Sequence, residues 1–485
     1  MRASRQFISI TIIVSLFFLT GCGSSSSEPP EVAPQPIVTS YSVIGTIIGL
    51  GDNSVQVNNS NYDVSTSSFT LDGNSATYGE LRLGMVVTIK GTRSTTNSTT
   101  NSTETADSVD YEDELEGPVS SIDLAAETFV VLGILVQVDG MTLFEGVTLD
   151  TLAVGNIVEV SGFRDSTDNS ILATLVELES LSFSPGDEIE VKGTIADLDD
   201  VAQTFNIGSQ LVDYSQAVIK DIPNDTLADG LSVEVKSDSD LVDDVLIASE
   251  IEGKDEEHDG NHGDEVEVEG IVSVYIDATD FEINGHPITT TSNTVYKNGN
   301  SDNIQQGVKL EVEGTLNADG ILVAEEVEFK MSYDIKISAP ISAIDSNEMT
   351  VTVLGIVVSI NDLTVLKDDL DDVHSGLTFA DLNIDDFVEI RASITDDLIM
   401  AGKLEREDHQ NEVELEGVVD SSSQPDLMIL GVNITTNANT QFEDDSDHYL
   451  TADTFFAIDL VGVIVEVEGV FDGSVLTASS VEIED

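Results

Sequence analysis

Two histidines stand among a row of acids in Asp255-Glu-Glu-His258-Asp-Gly-Asn-His262-Gly-Asp264-Glu265. Neutral imidazoles beside carboxylates ligate zinc, nickel or copper, which makes His258, His262 and Asp264 the metal-ligand candidates. Gly260, Asn261 and Gly263 make the stretch a loop, and its composition equally suits a solvated hinge, since a metal site needs fixed geometry. Further acids cluster in Asp197-Leu-Asp199-Asp200, Asp368-Asp-Leu-Asp371-Asp and Glu443-Asp-Asp-Ser-Asp447. They offer oxygens for weakly bound calcium, but none has the glycine and terminal glutamate of a dedicated calcium loop.

Catalytic groups are harder to find. The six histidines (His258, His262, His286, His374, His409 and His448) share no repeated position. No nucleophile elbow, phosphate loop or dinucleotide fingerprint is present. Paired carboxylates are everywhere on alternating segments, where they are expected to face solvent and to lack the burial that tunes a catalytic acid. The expectation is therefore a protein that is not an enzyme and holds no cofactor beyond weakly bound calcium.

The elements that carry these residues repeat. Alanine, two free positions, an aliphatic residue and an acid recur at Ala106, Ala173, Ala248, Ala324, Ala401 and Ala478, the later ones 75 to 77 residues apart. In the fourth unit, Glu265-Val-Glu-Val-Glu-Gly270-Ile-Val-Ser-Val alternates strictly and reads as a long strand with one buried face. Gly270 inside it signals a bend. Asp280-Phe-Glu-Ile283 is a second strand, closed by the tight turn Asn284-Gly285. A threonine-rich third strand runs from His286 to Val295, and Lys297 to Gln306 forms a loop or one helical turn. Residues 307–314 and 321–329 supply the fourth and fifth strands.

First-strand glycines recur at Gly45, Gly117, Gly193 and Gly417, with Ala339 in unit five. Turn glycines precede the fourth strand at Gly84, Gly155, Gly230, Gly307 and Gly462, with Asp385 in unit five. Seven residues later come Gly91, Gly162, Gly314 and Gly469. Three strands, an irregular connection and two more, with a bent first strand, give an all-β fold: a tandem array of six small OB-like five-stranded barrels, each sealing its own apolar interior. An immunoglobulin-like sandwich is the alternative, but about seven strands do not fit units this short. Phe129, Phe205 and Phe281 fall on second strands and are expected in the core.

Residues 152–160, 304–314 and 379–390, centred on Gly155, Gly307 and Asp385, resemble the core of a bacterial domain of unknown function, number 5666. That resemblance implies tandem domains on secreted or lipid-anchored proteins, covers nearly all of residues 41–484, and brings no activity. Unit one departs most, with Thr88-Ile-Lys90-Gly91 in place of the acidic strand and an Arg93–Ser108 insertion expected as a long hairpin loop.

Arg2 and Arg5 precede an apolar run from Phe7 to Leu19, the pattern of an export signal too short to remain as a membrane span. Leu19-Thr-Gly-Cys22 follows and resembles the lipobox of bacterial lipoproteins; Cys22 is the one cysteine in the chain. The resemblance implies lipidation at Cys22, an anchor of several acyl chains, and, with Gly23 rather than aspartate next, sorting to the outer membrane. The expected boundaries are signal 1–21, Ser/Pro-rich tether 22–40, barrels 41–111, 112–180, 187–253, 265–331, 334–406 and 411–485, and the histidine-bearing linker 254–264.

Ninety-two acids against 18 bases give a net charge of -74, which excludes nucleic acid as a general partner. A hydrophobic content of 40% excludes a disordered acidic polymer. Tryptophan is absent and aromatics make up 5%, so repeated stacking platforms for sugars are not expected. These readings converge on a non-enzymatic, lipid-anchored envelope protein, on either side of the outer membrane, acting as a repeat scaffold or binding surface for an envelope protein or glycan partner. The alternative is a divalent-cation (calcium or zinc) or glycan-binding module.

Overall fold

A computed structural model describes residues 37–95, 104–222, 226–254, 262–370, 377–395, 398–444, 446 and 448–484. Strict alternation of apolar and acidic residues puts one face of each strand inward, as in Glu265–Asp277, where Val266, Val268 and Val272 are buried. Unit four then runs through Asp280–Ile283, His286–Thr289, Lys309–Leu316 and Leu322–Phe329. The first strand pairs antiparallel with the second and the fourth, and the third pairs parallel with the fifth. The fifth closes onto the fourth. This 1-2-3-5-4 ring is the order of an OB-like barrel. The same ring recurs in units one, two, five and six. In unit three the first strand is split into Ile189–Thr194 and Ala196–Asp199, and the fifth into Val245–Ile247 and Glu250–Gly253.

Repeated residues have repeated jobs. Gly84, Gly155, Gly230, Gly307 and Gly462 all have φ between 82° and 94°, and Asp385 has 73°. Each N–H donates to a first-strand carbonyl, as Gly307 does to Val272 at 2.8 Å and Asp385 to Ile341 at 2.9 Å. That bond, continuing the ladder, ties the fourth strand to the bent first one. The alanine of each repeat lies inside its barrel, and in five units it pairs with the fourth-strand glycine or, in unit five, with Ala392. A register shift follows each of those pairs, so the fifth strand carries a bulge beside its alanine.

The third strand departs from the expectation in unit four. It stops at Thr289, and a separate short strand, Val295–Lys297, pairs parallel with the fifth strand. The Thr294 hydroxyl donates to the Ala324 carbonyl at 2.7 Å and breaks the continuous ribbon there. Ser67, Thr142, Thr364 and Thr440 make the same bond to Ala106, Ala173, Ala401 and Ala478. The two ends of the expected Arg93–Ser108 loop are strand, and its middle, residues 96–103, lies outside the described residues. Arg93 lies in strand Val86–Thr95 and Glu104–Tyr111 is the fifth strand, tied by Tyr41 Oη to the Thr105 carbonyl at 2.9 Å. Serine and threonine tolerate a strand well, which is why composition alone misplaced the two ends of this segment.

The barrels close individually, yet they do not seal six separate interiors. First strands pair across units: one with four in parallel (Tyr41 to Ile44 against Glu265 to Val268), and two with three and five with six antiparallel. One hydrophobic cluster spans units two and three, and another spans five and six. Leu143 and Leu175 of unit two and Val365 of unit five complete the core of unit one. Among the described residues no helix is long and apolar enough to cross a membrane.

Candidate functional site

Strand register sorts the charges into rows. In unit four, Glu267, Glu313 and Glu326 stand side by side on the first, fourth and fifth strands. At the same places unit five carries Lys336, Arg391 and Lys403. Neighbours in such a row point to one face, so unit five carries a basic row there, flanked on the same strands by Glu389 and Glu405. That face meets unit two. Lys403 Nζ donates to the Thr142 carbonyl at 3.3 Å and Lys367 Nζ to the Phe144 carbonyl at 2.5 Å. Arg391 lies over Gly140, where a Cβ would stand 3.0 Å from Arg391 Cδ.

Between units one, two and five the contact leaves a cleft of about 710 Å³. Its floor carries Lys336, Lys367, Arg391 and Lys403, and Leu83, Val138, Phe144, Leu366 and Leu377 give it apolar walls. Glu405 holds Lys403 at 2.6 Å and Lys367 at 3.3 Å, and Asp369 holds Lys367 at 2.7 Å. Burial raises the Glu405 carboxyl, but Lys403 and Lys367 outweigh it and hold the group below the usual carboxylate range. The Lys367 ammonium is likewise held above its usual range, burial being outweighed by Glu405 and Asp369. A charged, engaged lysine is a binding group and not an amine nucleophile. The described lining holds no histidine, serine or cysteine. Such a cleft can hold a polar, charge-bearing ligand of small-molecule size.

A second cavity, of about 170 Å³, lies where units one, two, four and five meet. Met141, Leu143, Phe329, Met331 and Tyr333 line it, with the ion pair Lys309–Glu269 at 3.0 Å.

The strand acids do not simply face solvent, which corrects the expectation drawn from their alternation. Pairing of first strands buries them at the seams between barrels. Burial, with neighbouring Glu179 and Glu159, pushes Glu116 up to about 8. Burial, with the Glu466 carboxyl beside it, does the same to Glu414. Glu269 goes the other way: burial raises it, but Lys309, Lys330 and the Thr46 N–H bring it down to about 2. Almost every described basic side chain is engaged with these acids, including Arg93–Glu265 at 2.7 Å, Arg164–Glu114 at 2.8 Å and Lys254–Glu234 at 2.6 Å.

Of the metal-ligand candidates, His262 and Asp264 lie among the described residues. His258 lies outside the described residues, as does the lipidation candidate Cys22. His262 Nδ1 sits 3.2 Å from the Leu316 carbonyl, and the Asp264 carbonyl accepts from Leu316 N–H at 3.1 Å. These contacts tie the linker to the hairpin of unit four. The acidic loops are used in turns: Asp199 accepts from the N–H groups of Val201 and Ala202, and Asp444 from those of Ser446 and His448. Among the described residues one acidic group, Glu466, Glu482 and Glu484, brings carboxylate oxygens within 4.8 Å of one another. The register found it, since Glu466 is the strand partner of Glu482; no local motif marks it.

The profile of a domain of unknown function, DUF5666, matches residues 116–177, 192–252, 269–328, 338–405 and 416–482. The chain belongs to the DUF5666 family. Its five matched segments fall on barrels two to six, beginning at or just inside each first strand. Unit one keeps the barrel order without the acidic fourth strand, carrying Lys90 where unit four has Glu313. No curated protein matches the chain.

Proposed function

We propose that this DUF5666 chain is a non-enzymatic, lipid-anchored protein of the cell envelope whose joined barrels serve as a scaffold or binding surface. The lipobox-like Leu19-Thr-Gly-Cys22 and the Ser/Pro-rich segment after it support the anchor and tether. The observation that carries the scaffold reading is the use of polar side chains. The buried lysines Lys367 and Lys403 of unit five join it to unit two through the Phe144 and Thr142 carbonyls, and Glu405 of their own barrel holds both. Buried charges of this kind fix one arrangement of domains, because each is costly unless paired. The cleft between units one, two and five is a surface that can take a partner's polar group. Incorporation of labelled palmitate tests the anchor. Wild type is expected to take the label and fractionate with outer membranes, and Cys22→Ser to do neither; unlabelled wild type would refute it.

A second reading, a divalent-cation module, is favoured by Glu466, Glu482 and Glu484. Calorimetric titration with calcium and zinc separates the two. The scaffold reading expects no saturable heat, and saturation at low stoichiometry supports the cation module.

A further inference from the structure

We propose that Lys192 and Asp113 are the two halves of an intramolecular amide cross-link, with Glu190 as the proton carrier that forms it. Asp113 lies in the short connection between the last strand of unit one, Glu104–Tyr111, and the first strand of unit two, Leu115–Asp123. Lys192 lies on Ile189–Thr194 of unit three, which pairs antiparallel with that first strand of unit two. The Lys192 N–H donates to the Glu114 carbonyl at 3.4 Å, which carries the ladder up to Asp113. There the Lys192 ammonium donates to the Asp113 main-chain carbonyl. It also comes within 3.4 Å of Asp113 Oδ1, one bond from the carbon it would attack. On the other side, the Asp113 N–H donates to Asp72 Oδ1 of unit one at 2.9 Å, so the acid is held in place from both directions.

Glu190 completes the set. Its Oε1 lies 3.6 Å from Lys192 Nζ, while Lys236 holds Oε2 at 2.5 Å. Among the described residues that buried Oε1 has no hydrogen-bond partner. Asp113 and Glu190 are each 3% exposed, and the Lys192 side chain 14%. An amine, an acid carbon and a spare carboxylate oxygen, fixed together in a nearly dry site, are what amide formation needs in place of chemical activation.

Charge decides which lysine can react. Burial pushes the Asp113 carboxyl well above the usual carboxylate range; Lys192 opposes this, and Glu190, Asp72 and Glu159 add to it. Burial, and then Glu234, raises Glu190 to about 8. Burial lowers the Lys192 ammonium, but Asp113, Glu190, Glu112 and Glu114 outweigh it while they are ionised. Passing the ammonium proton to Glu190 beside an un-ionised Asp113 therefore removes a charge pair from a buried site instead of creating one. The lysines of the cleft differ. Glu405 is held below the usual carboxylate range and is a poor proton acceptor, so Lys403 and Lys367 stay ammonium.

In the reaction Glu190 takes the ammonium proton, and the freed amine attacks Cγ of the protonated Asp113. The C–N bond forms and the C–OH bond breaks. Glu190 relays a second nitrogen proton to the departing hydroxyl, one water leaves, and Glu190 ends protonated. The product ties the junction of units one and two covalently to unit three, a link that neither the lipid anchor nor the scaffold reading requires.

Tandem mass spectrometry of a tryptic digest of the full chain reads this out. Trypsin cuts after lysine and arginine, so an unlinked chain yields residues 94–164, 165–192 and 193–220 as separate peptides. The linked chain is expected to resist cleavage at Lys192 and to yield 94–164 joined to 165–220, lighter than their sum by one water. Lys192→Met is expected to leave 94–164 free. Glu190→Gln keeps the shape but accepts no proton, and is expected to lower the linked fraction at least about tenfold. Wild type digested wholly into separate peptides overturns the proposal, and Glu190→Gln linking as fully as wild type overturns the role of Glu190. Should Glu190→Gln fail to fold, the wild-type digest and Lys192→Met decide the bond.

Discussion

Gly314 on the fourth strand of unit four faces Ala324 on the fifth so closely that a Cβ at 314 would overlap the carbonyl oxygen of Val323. Gly162 and Gly469 meet the carbonyls of Leu172 and Thr477 in the same way, and at Gly91 a Cβ would stand 2.6 Å from the Thr105 oxygen. The alanine repeat is the other half of this contact: a small residue inside the barrel, followed by a bulge that brings the backbones together. Unit five has Ala392 there, and its bulge residue is Gly402.

Gly314→Ala is therefore expected to destabilise unit four by about 1–3 kcal/mol, as overpacking does. Gly307→Ala has open space around it and fails through its φ of 82° alone, at about 1–2 kcal/mol. Urea unfolding of the two variants measures both losses. An unchanged midpoint for Gly314→Ala would remove the close-approach explanation of the repeat.

Leu132, Leu354 and Leu430 take φ near 50° in the hairpin turns, a conformation leucine resists, and each is followed by a glycine. Leu132 and Leu430 pack over first-strand Gly117 and Gly417, where a Cβ would press on them. Leu132→Asn gives the turn a residue better suited to its φ but loses a side chain that is 1% exposed. A net loss of about 1–3 kcal/mol is expected in urea unfolding. A gain in stability would show that turn propensity dominates.

Glu269 sets an acid limit. Its carboxyl is brought down to about 2, so its contribution is present above its unfolded range and drains away as pH falls toward that value. The contribution at neutral pH is about 3 kcal/mol. Glu269→Gln is expected to lower stability at pH 7 and to flatten the acid limb of unfolding free energy against pH. An unchanged acid limb counts against the Lys309 and Lys330 pairing.

Lys403→Met leaves Glu405 buried with Lys367 as its remaining ammonium partner. A loss of about 3–5 kcal/mol is expected, as for breaking a buried ion pair. Adding Glu405→Gln should recover part of it. A double-mutant cycle with no coupling would contradict the ion-pair account.

Much of a single barrel was legible in the residues. Alternation located Glu265–Asp277 and Asp280–Ile283, and positive-φ chemistry located Gly307 and Asn284. The Leu-Gly turns were hidden, because leucine is no turn former and is held there by burial over a glycine. The seams were hidden for another reason. Tyr41 pairs with Glu265 across more than half of a repeat array, and nothing in either strand's alternation distinguishes a barrel partner from a neighbouring barrel. The basic row Lys336–Arg391–Lys403 could be placed on one face only once register joined three strands. For the same reason the strand acids looked solvent-facing, when pairing of first strands buries several of them.

The central claim is that six barrels form one joined body rather than a string of swinging beads. Small-angle X-ray scattering of the delipidated chain tests it most directly. Joined barrels predict a radius of gyration of about 30 Å or less, near compact-chain scaling. A value of about 40 Å or more, the scale of six beads in a flexible line, would contradict the seams.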